Sequence, residues 1–261
     1  MLRRLFPLVA IAFIAVVAGP LPPGVRVLAA QESPTAEELV ARNLTAKGGL
    51  DKWKTVETMK QTVHAVSQGS PAEITMYGKR PNMQRQEVSA QGQLMVSAFD
   101  GQTAWMISPQ LGPDPVTMSG MQAQMTKDQS DFDGPLVNYK GKGSTIELVG
   151  KETTDGVPTY HLKLSRRATG LAATLSPPPP IEHVYLDTIT FLEKKIVSES
   201  TMGGMAMKIE TDFADYKTVE GVTLPFSIKT RSNGILAVEM TVTKVQFNVA
   251  LDDAFFRMPI K

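Results

Sequence analysis

Two alternating stretches with a Glu-Gly turn between them occupy residues 205–228, MAMKIETDFADYKTVEGVTLPFSI. Apolar side chains recur at a spacing of two, at Met205, Met207, Ile209 and Phe213 and again at Val222, Leu224, Phe226 and Ile228. Because successive side chains of a strand point to opposite faces, this spacing predicts two strands, each with one apolar face and one wet face. The turn at Glu220-Gly221 favours an antiparallel hairpin.

The same alternation recurs on both sides of this segment, at Met59, Val63 and Ala65, at Ala72, Ile74 and Met76, and at Leu236, Val238, Met240 and Val242. Turn-forming pairs separate the runs, namely Gln68-Gly69, Gln91-Gly92, Asp100-Gly101, Asp155-Gly156, Gly203-Gly204 and Asn233-Gly234. We therefore predict roughly ten to twelve strands joined mainly by hairpins. They should form one large curved antiparallel sheet with its inner face on a core and its outer face in water.

A helix is predicted ahead of the first strand. Thr35 and Glu38 have the spacing of a capping box, and Gly48-Gly49 is a typical helix end. Ala36, Val40 and Leu44 between them form one apolar stripe. A second short helical turn over residues 50–55 should carry Trp53.

Residues 1–30 have the organisation of a secretory signal peptide. Arg3-Arg4 precedes an apolar run from Leu5 to Ala18, and Ala29-Ala30 supplies the small residues at which such peptides are cleaved. We expect a mature chain of one domain, residues 31–261, that is soluble in the periplasm; the alternative is a retained membrane anchor. Because the chain has no Cys, we expect no lipid anchor.

The charge of the mature chain argues against a nucleic-acid partner. Removal of Arg3, Arg4 and Arg26 with the signal peptide leaves 24 basic and 26 acidic residues, a net charge of −2. Binding to nucleic acid relies on a concentration of positive charge that this composition lacks. We expect a monomer.

Signatures of catalysis are missing from the sequence. It has no Cys nucleophile, no G-x-S-x-G elbow, no P-loop and no G-x-G-x-x-G motif. His64, His161 and His183 stand singly in strands and are interpreted as surface residues rather than metal ligands. Residues 128–134 are acidic but fail the calcium-loop spacing, so we expect a solvated turn there. The sequence therefore predicts no enzyme, no cofactor and no metal site.

Methionine is the unusual component, with 14 residues. Its flexible, polarisable side chain is common at surfaces that accept varied apolar partners, although it also fills gaps in ordinary cores. Strand parity predicts one concave apolar face that includes Met76, Met205, Met207, Phe213, Phe226 and Met240. Met118, Met121 and Met125 have the spacing of one helical stripe within a helix-like break over residues 118–133, which would suit a lid.

Two short motifs resemble the periplasmic lipoprotein carrier family LolA. The segment GKRPNM at residues 78–83 is followed by FDGQTAW at residues 99–105 and then by Pro109. The resemblance implies a strongly curved antiparallel sheet, an incomplete β-barrel, whose concave face is plugged by helices over an apolar cavity for acyl chains. It also implies that Arg80 locks the lid and that Trp105 lines the cavity.

Two functions remain open at this point. The first is a carrier of an apolar ligand, either a lipid or the acyl chains of a lipoprotein, that transfers it across the envelope, in contact with inner- or outer-membrane proteins. The second half of the chain does not align with the family, so the resemblance implies a lipid-type ligand and leaves lipoproteins as the specific cargo open. The other function is an envelope sensor or scaffold that binds a protein partner with the same fold.

Residues 166–180 form a long connection that ends in four prolines. The prolines favour an extended polyproline stem, and Leu171 and Leu175 are the only large apolar residues ahead of them. One interpretation is a disordered insertion. The other is a projecting finger in which Leu171 and Leu175 contact a membrane or a partner protein.

Overall fold

Thirteen antiparallel strands dominate the computed structural model, which describes residues 33–166, 181–202 and 205–260. The strands are β1 Thr58–Ser67, β2 Ser70–Lys79, β3 Met83–Ala90, β4 Gln93–Phe99, β5 Ala104–Ser108, β6 Gly112–Thr117, β7 Thr145–Thr154, β8 Val157–Ser165, β9 Ile181–Asp187, β10 Glu193–Met202, β11 Met205–Val219, β12 Val222–Ser232 and β13 Ile235–Phe247. The helices are α1 Ala36–Ala46, α2 Leu50–Lys54 and α3 Gly120–Gln129, with a short 3₁₀ helix at Asp253–Phe255. The signal-peptide prediction for residues 1–30 lies outside the described residues.

All thirteen strands belong to one sheet in the order β6-β5-β4-β3-β2-β1-β13-β12-β11-β10-β9-β8-β7. The two halves of the chain each form a meander, and β1 pairs with β13 to join them. Within the described residues β6 and β7 each pair on one side only and stand at the two ends of this order, so the sheet is an incomplete, curved barrel, as the sequence predicted.

Hairpin turns determine much of this order. At Asn233-Gly234, φ is +48° and +80°, the left-handed conformation that a two-residue turn between twisted strands requires. The same pair of positive φ values occurs at Gln68-Gly69, Gln91-Gly92, Asp155-Gly156 and Glu220-Gly221. The strand register therefore follows directly from these dipeptides, and five of the predicted turns are confirmed.

The helix α1 begins where the sequence predicts. Thr35 Oγ1 accepts a hydrogen bond from the Glu38 amide, and the Glu38 carboxylate accepts one from the Thr35 amide, which completes the capping box. The buried face of α1, formed by Ala36, Leu39 and Val40, packs against Leu162, Val184 and Leu186 of the sheet. This packing covers the β8–β10 half of one sheet face.

A second apolar cluster covers the central strands on the same face. Its members come from β1, β2, β12 and β13, and Trp53 of α2 and Phe132 pack against them. The buried core residues are Val56, Val63, Ala65, Ile74, Val222, Leu224, Phe226, Val242, Val245 and Phe247. Within the described residues, helices α1, α2 and α3 therefore all pack on this face, the concave one.

Trp105 lies on the other face. It pairs with Ala98 across β4 and β5, while Ala104 beside it faces the helix side with Phe99 and Met118. The carboxyl-terminal segment covers Trp105 completely, and its indole Nε1 donates a 2.8 Å hydrogen bond to the Phe256 carbonyl. The expectation that Trp105 lines the concave cavity is therefore wrong, because strand alternation points it to the opposite side.

Candidate functional site

An apolar cavity of about 200 Å³ lies on the concave face between α1, α2 and the sheet. Residues 131–137, here called the covering loop, close it from above. Its apolar lining is drawn largely from the two core clusters and consists of Leu44, Leu50, Trp53, Phe132, Pro135, Leu136, Val137, Val222 and Leu224. The volume is below the usual range of small-molecule pockets, about 300–1,000 Å³.

Arg80, at the end of β2, holds the covering loop in place. Its Nη1 donates to Asp133 Oδ1 at 2.6 Å, and its Nε and Nη2 donate to the carbonyls of Val56 and Trp53 at 2.7 and 3.1 Å. The Arg80 and Asp133 side chains are only 18% and 29% exposed. A charge-assisted hydrogen bond in such shelter is stronger than an exposed ion pair, because water screens it less.

Aromatic rings complete this latch, which comprises Arg80, Asp133, Trp53 and Phe132. The Trp53 and Phe132 rings stack at 5.5 Å between centroids, and the Arg80 guanidinium lies 4.7 Å from the Phe132 centroid. Trp53 Nε1 donates a second hydrogen bond to Asp133 Oδ1 at 2.8 Å. Loop and helix are therefore joined through one carboxylate.

Gly78 of β2 provides the surface on which Phe132 rests. A Cβ placed at Gly78 would lie 3.1 Å from two Phe132 ring carbons, which is closer than normal van der Waals contact. The absence of a side chain at this position lets the ring settle directly on the sheet. The G-K-R-P-N motif thus supplies both the seat for Phe132 and the arginine of the latch.

A second ion pair holds the other end of the covering loop. Lys142 Nζ donates to Asp131 Oδ2 at 2.6 Å and to the Gly134 carbonyl at 2.7 Å. Asp131 and Asp133 were expected to lie in a solvated turn. A turn does form at residues 132–133, but the two carboxylates are only 32% and 29% exposed and each is held by a basic side chain, so the expectation of a solvated turn is wrong in part.

The cavity wall carries a partly buried ion pair, in which the Glu193 side chain is 10% exposed and the Lys47 side chain 35% exposed. Lys47 Nζ, beyond the last turn of α1, donates to Glu193 Oε1 of β10 at 3.0 Å, and both residues line the cavity. Burial acts to raise the pKa of Glu193, but the charge and hydrogen bond of Lys47, together with hydrogen bonds from the Glu193 backbone and Asn43, hold the pKa below its ordinary value. Tyr216 donates to the Glu193 carbonyl at 2.7 Å, and burial raises the pKa of its phenol.

The side chains that strand parity predicted to share one apolar face form only part of the central cluster beside the cavity. Met76, Phe226 and Met240 pack in the central cluster. Met207 and Phe213 lie on the same face by strand register and are half-buried. The side chain of Met205 lies outside the described residues. None of the described members lines the cavity itself, and their role in ligand binding stays a prediction.

The methionine stripe does not form the lid as expected. Helix α3 begins only at Gly120, so Met118 precedes it and packs into the sheet beside Phe99 and Ala104. Met121 and Met125 are more than half exposed, because the face of α3 that meets the sheet carries Ala123 and Thr126. The segment that covers the cavity is the loop after α3.

The pairing of β8 with β9 creates a cluster that sequence reasoning missed. His161 Nε2 and His183 Nδ1 are 2.7 Å apart on the convex face, and His161 Nδ1 lies 2.5 Å from Glu152 Oε1. Burial lowers the pKa of His161, with the nearby Glu152 acting in the opposite direction. The interpretation of both histidines as solitary surface residues is wrong, since 22 positions separate them in sequence but only the width of one strand pair separates them in space.

Leu171 and Leu175 lie outside the described residues. Arg166, at the base of that connection, forms a 2.9 Å ion pair with Glu182. Within residues 33–166, 181–202 and 205–260, no helix has the length and apolarity of a membrane span. The same residues contain no group of three or more His, Asp or Glu side chains arranged to hold a metal ion.

Comparison with solved structures establishes the fold. No family model and no curated protein matches the sequence. A DUF1329 family protein from Desulfovibrio piger matches with a TM-score of 0.58 and 11% identity over 86% of this chain and 98% of that chain. A LolA superfamily protein from Nitrosomonas europaea gives 0.57 and 13% over 86% and 98%. A domain from Vibrio parahaemolyticus named for outer membrane lipoprotein sorting gives 0.53 and 11% over 85% and 94%. The protein therefore has a LolA-like fold.

Proposed function

We propose that the mature protein is a periplasmic carrier that takes up acyl chains, of a lipid or a lipoprotein, in the cavity beneath the covering loop. The observation that carries this proposal is the latched cavity: an apolar space between sheet and helices, closed by a loop that one arginine holds. Its LolA-like fold and the name of the Vibrio parahaemolyticus domain support a ligand of this class.

The latch explains how binding and release can be controlled. In the closed state Asp133 Oδ1 accepts hydrogen bonds from both Arg80 and Trp53, so movement of the covering loop breaks these two bonds together. An acyl chain that enters offers apolar surface to Leu224, Val222 and Leu44 and contributes roughly 0.8 kcal/mol per buried methylene group. Ten or so methylenes therefore supply enough free energy to hold the loop in a new position. The resulting carrier needs no covalent chemistry.

The cavity itself provides the test. Leu44 lines it, and Leu44→Trp should fill much of its volume while remaining apolar. Leu94, which is 53% exposed, supplies the matched control Leu94→Trp. Protein purified from its own envelope and measured by native mass spectrometry should retain lipid or lipopeptide in the parent and in Leu94→Trp, and should lose it in Leu44→Trp.

Two results would overturn the proposal. One is parent protein that carries no lipid and takes none up from solution. The other is equal lipid retention by a folded Leu44→Trp variant. Stable recovery of an envelope protein in place of lipid would instead favour the sensor or scaffold function.

A further inference from the structure

The cavity of this carrier has one unusual element, a complete ion pair in its wall. Four charged side chains line the described cavity: Lys47, Asp131, Asp133 and Glu193. Asp131 and Asp133 are neutralised from outside it, by Lys142 and Arg80. Lys47 and Glu193 neutralise each other, and both face the cavity.

The Lys47–Glu193 pair offers hydrogen-bonding groups to a polar group of a ligand in the cavity. Apart from it and the two latched carboxylates, the lining side chains are apolar, so a ligand with one polar group and a hydrocarbon chain satisfies its hydrogen bonds best at the pair. Glu193 uses one of the three protons of Lys47. The ammonium can therefore donate to a ligand carbonyl, and the carboxylate can accept from a ligand hydroxyl or amide.

The charge balance excludes one kind of head group. Because Lys47 and Glu193 sum to zero, a ligand carboxylate entering the wall gains attraction from one partner and repulsion from the other. It also loses its hydration, which is far more costly for an ion than for a hydroxyl, an ester or an amide. The pKa of Glu193 is lowered in this position, because Lys47 and the hydrogen bonds from the Glu193 backbone and Asn43 together more than offset its burial.

We propose that the cavity selects lipids with an uncharged, hydrogen-bonding head, such as an ester, amide or hydroxyl, over free fatty acids, and that the Lys47–Glu193 pair makes this selection. The inference rests on the proposed function, since it names the class of lipid that the same cavity takes. The other interpretation is that the pair only ties α1 to β10, in which case the pair has no influence on head-group preference.

Two variants separate these roles. Glu193→Gln keeps the shape and the Tyr216 hydrogen bond to the backbone carbonyl, but it leaves Lys47 with an uncompensated positive charge. The double variant Lys47→Met with Glu193→Gln returns the wall to zero charge, and replacement of a whole buried pair is often tolerated. Circular dichroism and thermal unfolding check that both variants fold.

The probes are laurate and monolaurin, which share one chain and differ in the head. Each is used, below its self-association concentration, to displace a neutral fluorescent naphthylamine from the cavity at pH ~8, where the carboxyl group is ionised. The parent should prefer monolaurin. Glu193→Gln should shift the preference toward laurate by roughly tenfold, the value of one added charge-assisted hydrogen bond, and the double variant should restore the parental preference.

The outcomes distinguish the two proposals. If neither lipid displaces the dye from the parent, the proposed function and this inference both fall. If both lipids bind with the same preference in all three proteins, the carrier function stands and the selection by Lys47 and Glu193 is overturned. A parent that prefers laurate overturns the inference as well.

Discussion

Arg80 and Asp133 are 53 positions apart in the chain, yet their side chains meet at 2.6 Å, at a loop that lines the cavity. Arg80 directly follows β2 and Asp133 belongs to the covering loop, so this contact ties the loop to the end of a strand. Trp53 shares the same carboxylate oxygen from α2. The latch therefore connects the covering loop to both α2 and the end of β2.

Arg80→Leu should keep the fold and accelerate ligand release. The substitution removes three hydrogen bonds, and we expect the unfolding free energy to fall by about 1–3 kcal/mol. The rate at which a bound fluorescent apolar probe leaves should rise roughly tenfold, because a loss of about 1.4 kcal/mol in the free energy of the closed state corresponds to a factor of ten. Stopped-flow dilution measures this rate, and the exposed Arg257→Leu serves as the control. Unchanged uptake and release in a folded Arg80→Leu protein would count decisively against the latch.

Gly78→Ala should disturb the covering loop through Phe132. The new methyl group needs the ring to shift by a few tenths of an ångström, and we expect a loss of about 1 kcal/mol in unfolding free energy, as for mild overpacking. In a Phe132→Ala background the same substitution should cost nothing, because the ring that it meets is gone. Urea unfolding of the four proteins completes this double-mutant cycle. Equal costs in both backgrounds would show that Gly78 acts through something other than Phe132.

Protonation of His161 should destabilise the protein. Burial lowers its pKa in the folded state, so below the unfolded value, about 6.5, the unfolded chain binds a proton that the folded chain resists. Stability is then greatest above that pH and declines as the pH falls toward the lowered folded pKa. Urea unfolding between pH ~8 and ~5 should show a steeper decline for the parent than for His161→Gln. His64→Gln, at an exposed position, is the control, and parallel curves for the parent and His161→Gln would refute the prediction.

Leu171 and Leu175 provide a test of the finger hypothesis. Changing both to Ser should weaken binding to anionic liposomes without altering thermal stability, if these side chains enter a membrane. The matched control is the pair Leu94→Ser and Leu111→Ser, two leucines that are more than half exposed within the described part of the chain. Co-sedimentation measures the bound fraction. Identical binding by the parent and the Leu171/Leu175 variant would contradict the finger hypothesis and favour the other interpretation, a disordered insertion.

The sequence alone determined the local architecture of this protein. Alternation at Met76, Phe226 and Met240 predicts side chains on one face, and they do pack in one cluster. The capping box at Thr35 and the turn at Asn233-Gly234 form as predicted. These features depend on backbone geometry over two to four residues, and such short-range preferences are legible in a single sequence.

Only the tertiary structure decided which distant groups meet. Alternation assigns Trp105 to one of two faces, but it cannot say that the helices cover the other face. The partners Arg80 with Asp133, Lys47 with Glu193 and His161 with His183 come from segments that 22 to 146 positions separate. Their encounters depend on the order and register of thirteen strands and on how the helices fill the concave face. This arrangement depends on the packed core as a whole, because hydrophobic burial stabilises any apolar contact and does not select a particular partner.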